Sequence, residues 1–148
     1  MIKLQGCVDQ NFMVLGLGRS GMASVGALTA SGANVICWDD DEEKRSIALS
    51  KGLQIKNTIS DFDWQSIDRL IISPGIPHHF PSPHPIISAA ITAGVLIDND
   101  VGLFFQSVAT ESWSNFSVRP KIVAVTGSNG KSTTASLLYY IFSTLGYK

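Results

Sequence analysis

The run Asn11-Phe12-Met13-Val14-Leu15-Gly16-Leu17-Gly18-Arg19-Ser20-Gly21 decides how the rest of the chain is read. Its first half is short, apolar and closed by glycine, the pattern of a buried strand. Its second half fits G-x-G-x-x-G and opens onto apolar residues at helical spacing (Met22, Val25, Leu28), a pattern that Gly32 stops. In a strand–turn–helix of this kind the first glycine permits the tight turn. The second lets backbone approach a diphosphate, and the third lets helix pack against strand. The helix N-terminus then offers unpaired N–H groups to the anion.

Outward from this unit, Val35 to Trp38 reads as a second strand, with Asp39 at its end, where an acidic residue contacts a ribose or base. Asp39 to Glu43 form an acidic start to a second helix ending near Gly52, as the positive helix N-terminus favours. Asp40 and Asp41 suit a solvated helix cap as well as a ligand contact. Arg69 to Ser73 is a further buried strand, with a weaker candidate at Leu53 to Ile55. A proline-rich loop runs from Pro74 to Pro85, followed by a short helix from Ile86 to Ala93 that Gly94 closes, and a strand from Val95 to Ile97. Strands alternating with helices imply a parallel sheet covered on both faces, a Rossmann-like α/β domain over residues 1–97. Ser73-Pro74-Gly75-Ile76-Pro77 follows a buried strand, and so lies on the same sheet edge as Gly16 to Gly21. Taken alone it reads as a rigid turn.

Thr110 to Pro120 is polar, serine-rich and without periodicity, so residues 98–120 read as a linker. Beyond it, Lys121 to Thr126 reads as a strand, and Lys131 to Leu145 as a helix with one apolar face (Leu137, Leu138, Ile141, Phe142, Leu145). Between them stands Thr126-Gly127-Ser128-Asn129-Gly130-Lys131-Ser132-Thr133. Val125 occupies the place of the usual first P-loop glycine, so the loop is the shorter G-x-x-G-K-S beginning at Gly127. Backbone N–H groups from Ser128 to Ser132 can surround phosphate, Lys131 can reach the β and γ oxygens, and the Ser132 hydroxyl can ligate Mg²⁺. Residues 121–148 are therefore expected to open a P-loop type α/β ATP-binding domain. A lone strand–loop–helix cannot close a parallel sheet, so this region reads as truncated.

Composition narrows the alternatives. The chain is 45% hydrophobic and 16% charged over 148 residues, which fits a folded domain. A net charge of −1 provides no basic field for nucleic acid or an anionic membrane, so an anion must be held by local backbone geometry. Cys7 and Cys37 are the two cysteines, and Cys37 sits in an apolar run; they read as buried or incidental thiols in a reducing compartment. Leu4-Gln5-Gly6-Cys7 resembles a lipoprotein cleavage site, but the hydrophobic segment of roughly 7–15 residues that a signal peptide needs is missing before it. No apolar run reaches the roughly 18 residues of a membrane span, and the cytoplasm is the expected location. His78, His79 and His84 lie in a proline-rich loop without a fourth ligand nearby, and read as solvated loop residues.

The ordered set of a glycine fingerprint, the Ser-Pro-Gly-Ile-Pro turn and Thr-Gly-Ser-Asn-Gly-Lys-Ser-Thr-Thr resembles the Mur ligases. These are three-domain enzymes that join an amino acid to a UDP-N-acetylmuramoyl carboxylate with ATP. The resemblance covers nearly the whole chain and implies an N-terminal domain for the UDP moiety and a central ATP-binding domain. Glycine fingerprint and Asn129 together resemble the D-glutamate-adding branch; the alanine-adding branch, the alternative within the family, carries His at that position. The resemblance thus implies UDP-N-acetylmuramoyl-L-alanine and D-glutamate as substrates, ATP and Mg²⁺ as cofactors, and acyl-phosphate chemistry in peptidoglycan synthesis. Carried over by position, Gly16, Gly18, Arg19 and Ser20 meet the UDP moiety, Asp39 faces the uracil, and Gly75 lines the site. Gly127, Ser128, Asn129, Gly130, Lys131, Ser132 and Thr133 form the ATP loop, with Lys131 in the catalytic role and Ser132 on the metal. The family has a hydroxyl or basic residue after the aspartate, where this chain has Asp40 and Asp41. Two rival readings are a nicotinamide-dependent oxidoreductase, which leaves the second loop without a role, and a nucleotide-binding module that is not an enzyme.

Overall fold

The structure, a computed structural model, describes residues 4–56, 58, 60, 62–109 and 121–147. The connector expected at Thr110 to Pro120 lies outside them. The chain divides into two units, Met1–Asn115 and Phe116–Lys148.

The first unit is built on β1 (Asn11–Leu15). Phe12, Met13, Val14 and Leu15 are all fully buried, so this strand must have cover on both faces. Each such side chain contributes about 1.5–3 kcal/mol by leaving water, which makes β1 the natural centre of the sheet. The chain then runs outward through α1 (Arg19–Ala30), β2 (Asn34–Trp38), α2 (Glu42–Ser50) and β3 (Gln54–Ile55). It returns to the other side of β1 with β4 (Arg69–Ile72), α3 (Pro85–Ala93), β5 (Leu96–Asn99) and α4 (Asp100–Ala109). The sheet order is β3-β2-β1-β4-β5, with every pair parallel. The direction of winding reverses at β1, which leaves a crevice at the carboxyl ends of β1 and β4, where open sheets bind ligands.

Alternation along the strands feeds two cores. Phe12, Val14, Val35, Cys37 and Ile71 face one way, packing with Val25 and Leu28 of α1, Ala48 of α2 and Leu103 of α4. Met13, Leu15, Trp38, Leu70 and Ile72 face the other, packing with Phe62, Ile67 and Ile86, Ile87 and Ala90 of α3. This is the Rossmann-like α/β sheet expected from sequence.

Three expectations need correction. The last strand is Leu96–Asn99, not Val95 to Ile97: Gly94 closes α3 at φ +75°, and the Val95 N–H is spent on the Ala90 carbonyl at 2.9 Å. Asp100–Ala109, inside the stretch read as linker, is helix α4 of the first unit. Asn99 Oδ1 accepts the Gly102 N–H at 2.8 Å at its start, Leu103 is buried, and Ser107 Oγ accepts the Gln5 N–H at 2.6 Å. Lys121 to Thr126 is irregular and mostly exposed rather than a strand. A strand forms by pairing, and the second unit offers it no neighbour among the described residues. That unit's one regular element among them is α5 (Lys131–Thr144), which buries no residue.

Candidate functional site

The glycine turn is fixed from both sides. Gly16 adopts φ +91°, and its N–H donates to the Trp38 carbonyl at 2.7 Å. The Leu17 N–H donates to Asp39 Oδ2 at 2.7 Å. From the opposite side Ser73 Oγ donates to the Gly16 carbonyl at 2.8 Å. A Cβ on Gly16 would lie 2.8 Å from both Ser73 Cβ and Ile76 Cδ1, so the loop carrying Gly75 packs directly on the turn. Gly75 itself is exposed at φ +91°, a backbone that favours glycine. The third fingerprint glycine, Gly21, has no room for a side chain, because its Cβ would meet the Gly16 carbonyl oxygen at 1.7 Å.

Gly18 is different. It is the N-cap of α1 at φ −68°, provides no side-chain cap, and a Cβ there would meet nothing within 4 Å. Neither backbone strain nor packing demands glycine at this position. Arg19 follows it, exposed, and Ser20 is half-buried. Beside them a cleft of about 290 Å³ is bounded by Leu17, Gly18, Arg19 and Met22 on one side and by Lys44, Ile47 and Ala48 of α2, with Lys51 just past its end, on the other. The structure therefore brings Gly16, Gly18, Arg19, Ser20 and Asp39 together, and joins Gly75 to them through Ser73 and Ile76. Lys44 and Lys51 were not singled out from sequence; their positions, on α2 and at its C-cap, become meaningful only once β2 places that helix beside the turn.

Three consecutive aspartates have three separate tasks. Asp39, 9% exposed, accepts from Leu17 N–H with one oxygen and from Asp41 N–H at 3.0 Å with the other, and pairs with Lys44 at 3.6 Å. It braces the glycine turn. Asp41 caps α2, accepting from the Glu43 and Lys44 N–H groups. Asp40 accepts from the Trp38 indole N–H at 2.9 Å with Oδ1 and meets His84 Nε2 at 2.9 Å with Oδ2. The Trp38 hydrogen bond holds the Asp40 carboxyl below its usual range against partial burial, and His84 and the Arg45 charge act in the same direction. His78 and His79 are exposed, as expected, but His84 is not a solvated loop residue. Its side chain is 12% exposed, and its Nδ1 accepts the Ile86 N–H at the start of α3. Proline at the first helical position after it was the available signal for this cap. Among the described residues no group of three metal-ligating side chains converges.

In the second unit, Gly127 (φ +146°) and Gly130 (φ +76°) give the loop its shape, and Gly130 begins α5 without a side-chain cap. Lys131 Nζ lies across the loop, donating to the Gly127 carbonyl at 2.5 Å and the Ser128 carbonyl at 3.2 Å. An uncapped helix N-terminus with an ammonium group beside it is the donor set that a polyphosphate requires. Ser128, Asn129, Ser132 and Thr133 are all exposed around it.

The family model described as Mur ligase MurD-like, N-terminal domain, matches residues 10–98. The UDP-N-acetylmuramoylalanine–D-glutamate ligase of Roseobacter denitrificans is 48% identical over 146 residues, 99% of this chain and 32% of that protein. The enzyme of the same name from Ruegeria pomeroyi is 48% identical over 146 residues, 99% of this chain and 31% of that protein. The chain thus spans 31–32% of the length of these curated relatives. Among solved structures, shikimate dehydrogenase from Aquifex aeolicus superposes with a TM-score of 0.51 at 18% identity, over 76% of this chain and 51% of that one. At that identity the likeness concerns the fold alone.

Proposed function

The chain belongs to the MurD-like Mur ligases, and on that premise we propose that its first unit binds the uridine diphosphate part of UDP-N-acetylmuramoyl-L-alanine. Gly18 carries this reading. Its glycine is required by no contact and no strained backbone within the chain, yet it stands at the open N-terminus of α1, where a bare backbone admits a diphosphate. Arg19 and Ser20 extend the donor set. Asp39 acts mainly by bracing the turn, because both its oxygens already accept backbone N–H groups.

The division of labour follows. Residues 1–97, with α4 packed on them, form the UDP-substrate unit, and residues 121–148 open an ATP-binding unit. The loop from Gly127 to Thr133 suits ATP: Lys131 would hold the β and γ oxygens, and the Ser132 hydroxyl would hold Mg²⁺. When bound, ATP supplies the phosphoryl group that activates a carboxylate for amide formation. Lys131 would neutralise charge on the phosphates from the start of α5. Joining D-glutamate to the muramoyl-alanine carboxylate is proposed for the full-length form, whose relatives are about three times as long. Its place is the cytoplasm. Two free buried thiols support that, and no helix among the described residues is long and apolar enough to cross a membrane.

Isothermal calorimetry of the 148-residue chain with UDP and with NADH tests the first unit. UDP is expected to bind the more tightly. Tighter binding of NADH would move the chain to the oxidoreductase reading that its fingerprint also permits.

A further inference from the structure

The loop between β4 and α3 is held at its two ends by two different neighbours. At its start, the Ser73 N–H donates to the Leu15 carbonyl at 2.9 Å and Ser73 Oγ to the Gly16 carbonyl at 2.8 Å, both belonging to β1 and its turn. At its end, His84 reaches Asp40, in the loop after β2. β1 lies between β2 and β4 in the sheet, so these two attachments lie on opposite sides of the glycine turn. Between them the loop has few bonds of its own. Ile76 N–H approaches the Ser73 carbonyl at 3.4 Å, and His84 N–H closes on the Pro77 carbonyl at 3.0 Å. Gly75, Pro77, His78 and His79 are exposed, and Phe80 is 88% exposed. Apart from Ile76, which packs on the turn, the end attachments therefore set where this segment sits.

The attachment at His84 is well specified. Its Nδ1 accepts the Ile86 N–H at 3.2 Å, which assigns the ring proton to Nε2, and Nε2–H donates to Asp40 Oδ2. The other oxygen of Asp40 is taken by the Trp38 indole. Asp40 is itself immobilised, because Arg45 donates to its carbonyl at 3.1 Å and to that of Asp39 at 2.7 Å while lying 4.8 Å over the Trp38 ring. Each polar atom of the Trp38–Asp40–His84 chain thus has one partner and one task. A chain of this kind orients a segment without touching what the segment binds.

We propose that Asp40 and His84 form a latch that positions the Ser73–His84 loop against the glycine turn and thereby sets the affinity of the site for the uridine nucleotide. The inference rests on the uridine-nucleotide reading of the first unit. Both act as positioning residues, because every polar atom of the two side chains is already engaged with Trp38, with the other or with the start of α3. Without the latch the end of the loop is still joined to the core-packed α3, but nothing ties it to the β2 side of the glycine turn, and the cost of ordering it there is charged against binding.

The test separates the latch from the helix cap. Asparagine is among the best N-cap residues, so His84→Asn keeps an acceptor for the Ile86 N–H but is too short to reach Asp40. Asp40→Asn keeps the shape of Asp40 but cannot accept from Trp38 and His84 together. UDP is titrated into the wild-type chain, each single variant and the double variant, with thermal unfolding measured alongside. Each single change is expected to weaken UDP by about tenfold at nearly unchanged melting temperature. The double variant is expected to bind no worse than the weaker single, because both changes remove one interaction. Unchanged affinity in the single variants, or losses that multiply in the double, would overturn the latch. A wild-type chain that ignores UDP defeats the uridine reading instead. The latch is then decided by backbone order parameters from residue 76 to residue 80, which fall in both variants if it holds the loop and stay put if it does not.

Discussion

A methyl group added at Gly21 would sit 1.7 Å from the Gly16 carbonyl oxygen, whereas one added at Gly18 would meet nothing within 4 Å. The two positions should therefore fail in opposite ways. Gly21→Ala forces α1 away from the turn, and its urea midpoint is expected to fall by an amount worth about 1–3 kcal/mol or more. Gly18→Ala should leave stability within about 1 kcal/mol, yet lose UDP affinity, as calorimetry would record. Equal stability losses in the two variants would remove the reason for assigning Gly18 to a ligand. The fingerprint itself was legible from sequence because glycine spacing encodes backbone, and backbone is what the turn is made of. The three aspartates were not legible to the same degree. Asp39, Asp40 and Asp41 differ only in where each Cβ points at the end of β2, and one step along the chain exchanges a brace, a latch and a helix cap.

At the scale of the element, helices were readable where their faces are amphipathic and their ends carry glycine. α1 and α3 begin and end within a residue of expectation, and α5 starts at Lys131 as its loop dictates. Lys121 to Thr126 was misread for a physical reason: an apolar run specifies a strand only if another strand lies beside it. The same shortage bears on α5. Its Leu137 is 57% exposed, and Ile141, Phe142 and Leu145 are exposed as well. A helix of 14 residues without a packed face is marginal in water. Amide hydrogen exchange is expected to be fast across residues 137–145 and slow at Val14 and Ile71, which sit in the buried centre of the sheet. Protection of α5 equal to that of Val14 would show that the helix has a packed face after all.

The molecule as a whole keeps its two thiols inside the first unit, and this gives its stability an alkaline limit. Cys37 is fully buried, and burial pushes its thiol up to about 12; Cys7 is raised by the same cause. From ~8.5, where an unfolded thiol ionises, to about 12, the unfolded chain has lost a proton that the folded one retains. Stability is therefore complete below that window and falls as pH rises through it. Urea midpoints measured from pH 7 to 11 should stay level and then decline, and Cys37→Ala should flatten the decline. An unchanged slope in that variant would assign the loss to other groups. At the glycine turn, the ladder between β1 and β2 does not stop at the strand ends. Gly16 bonds to the Trp38 carbonyl and Leu17 to the Asp39 carboxylate, so the turn proposed to receive phosphate is stitched into the sheet. A turn held in this way is expected to bind without first opening. Nucleotide capture then becomes one bimolecular encounter, whose observed rate climbs in proportion to nucleotide concentration and never levels off at the pace of a prior opening.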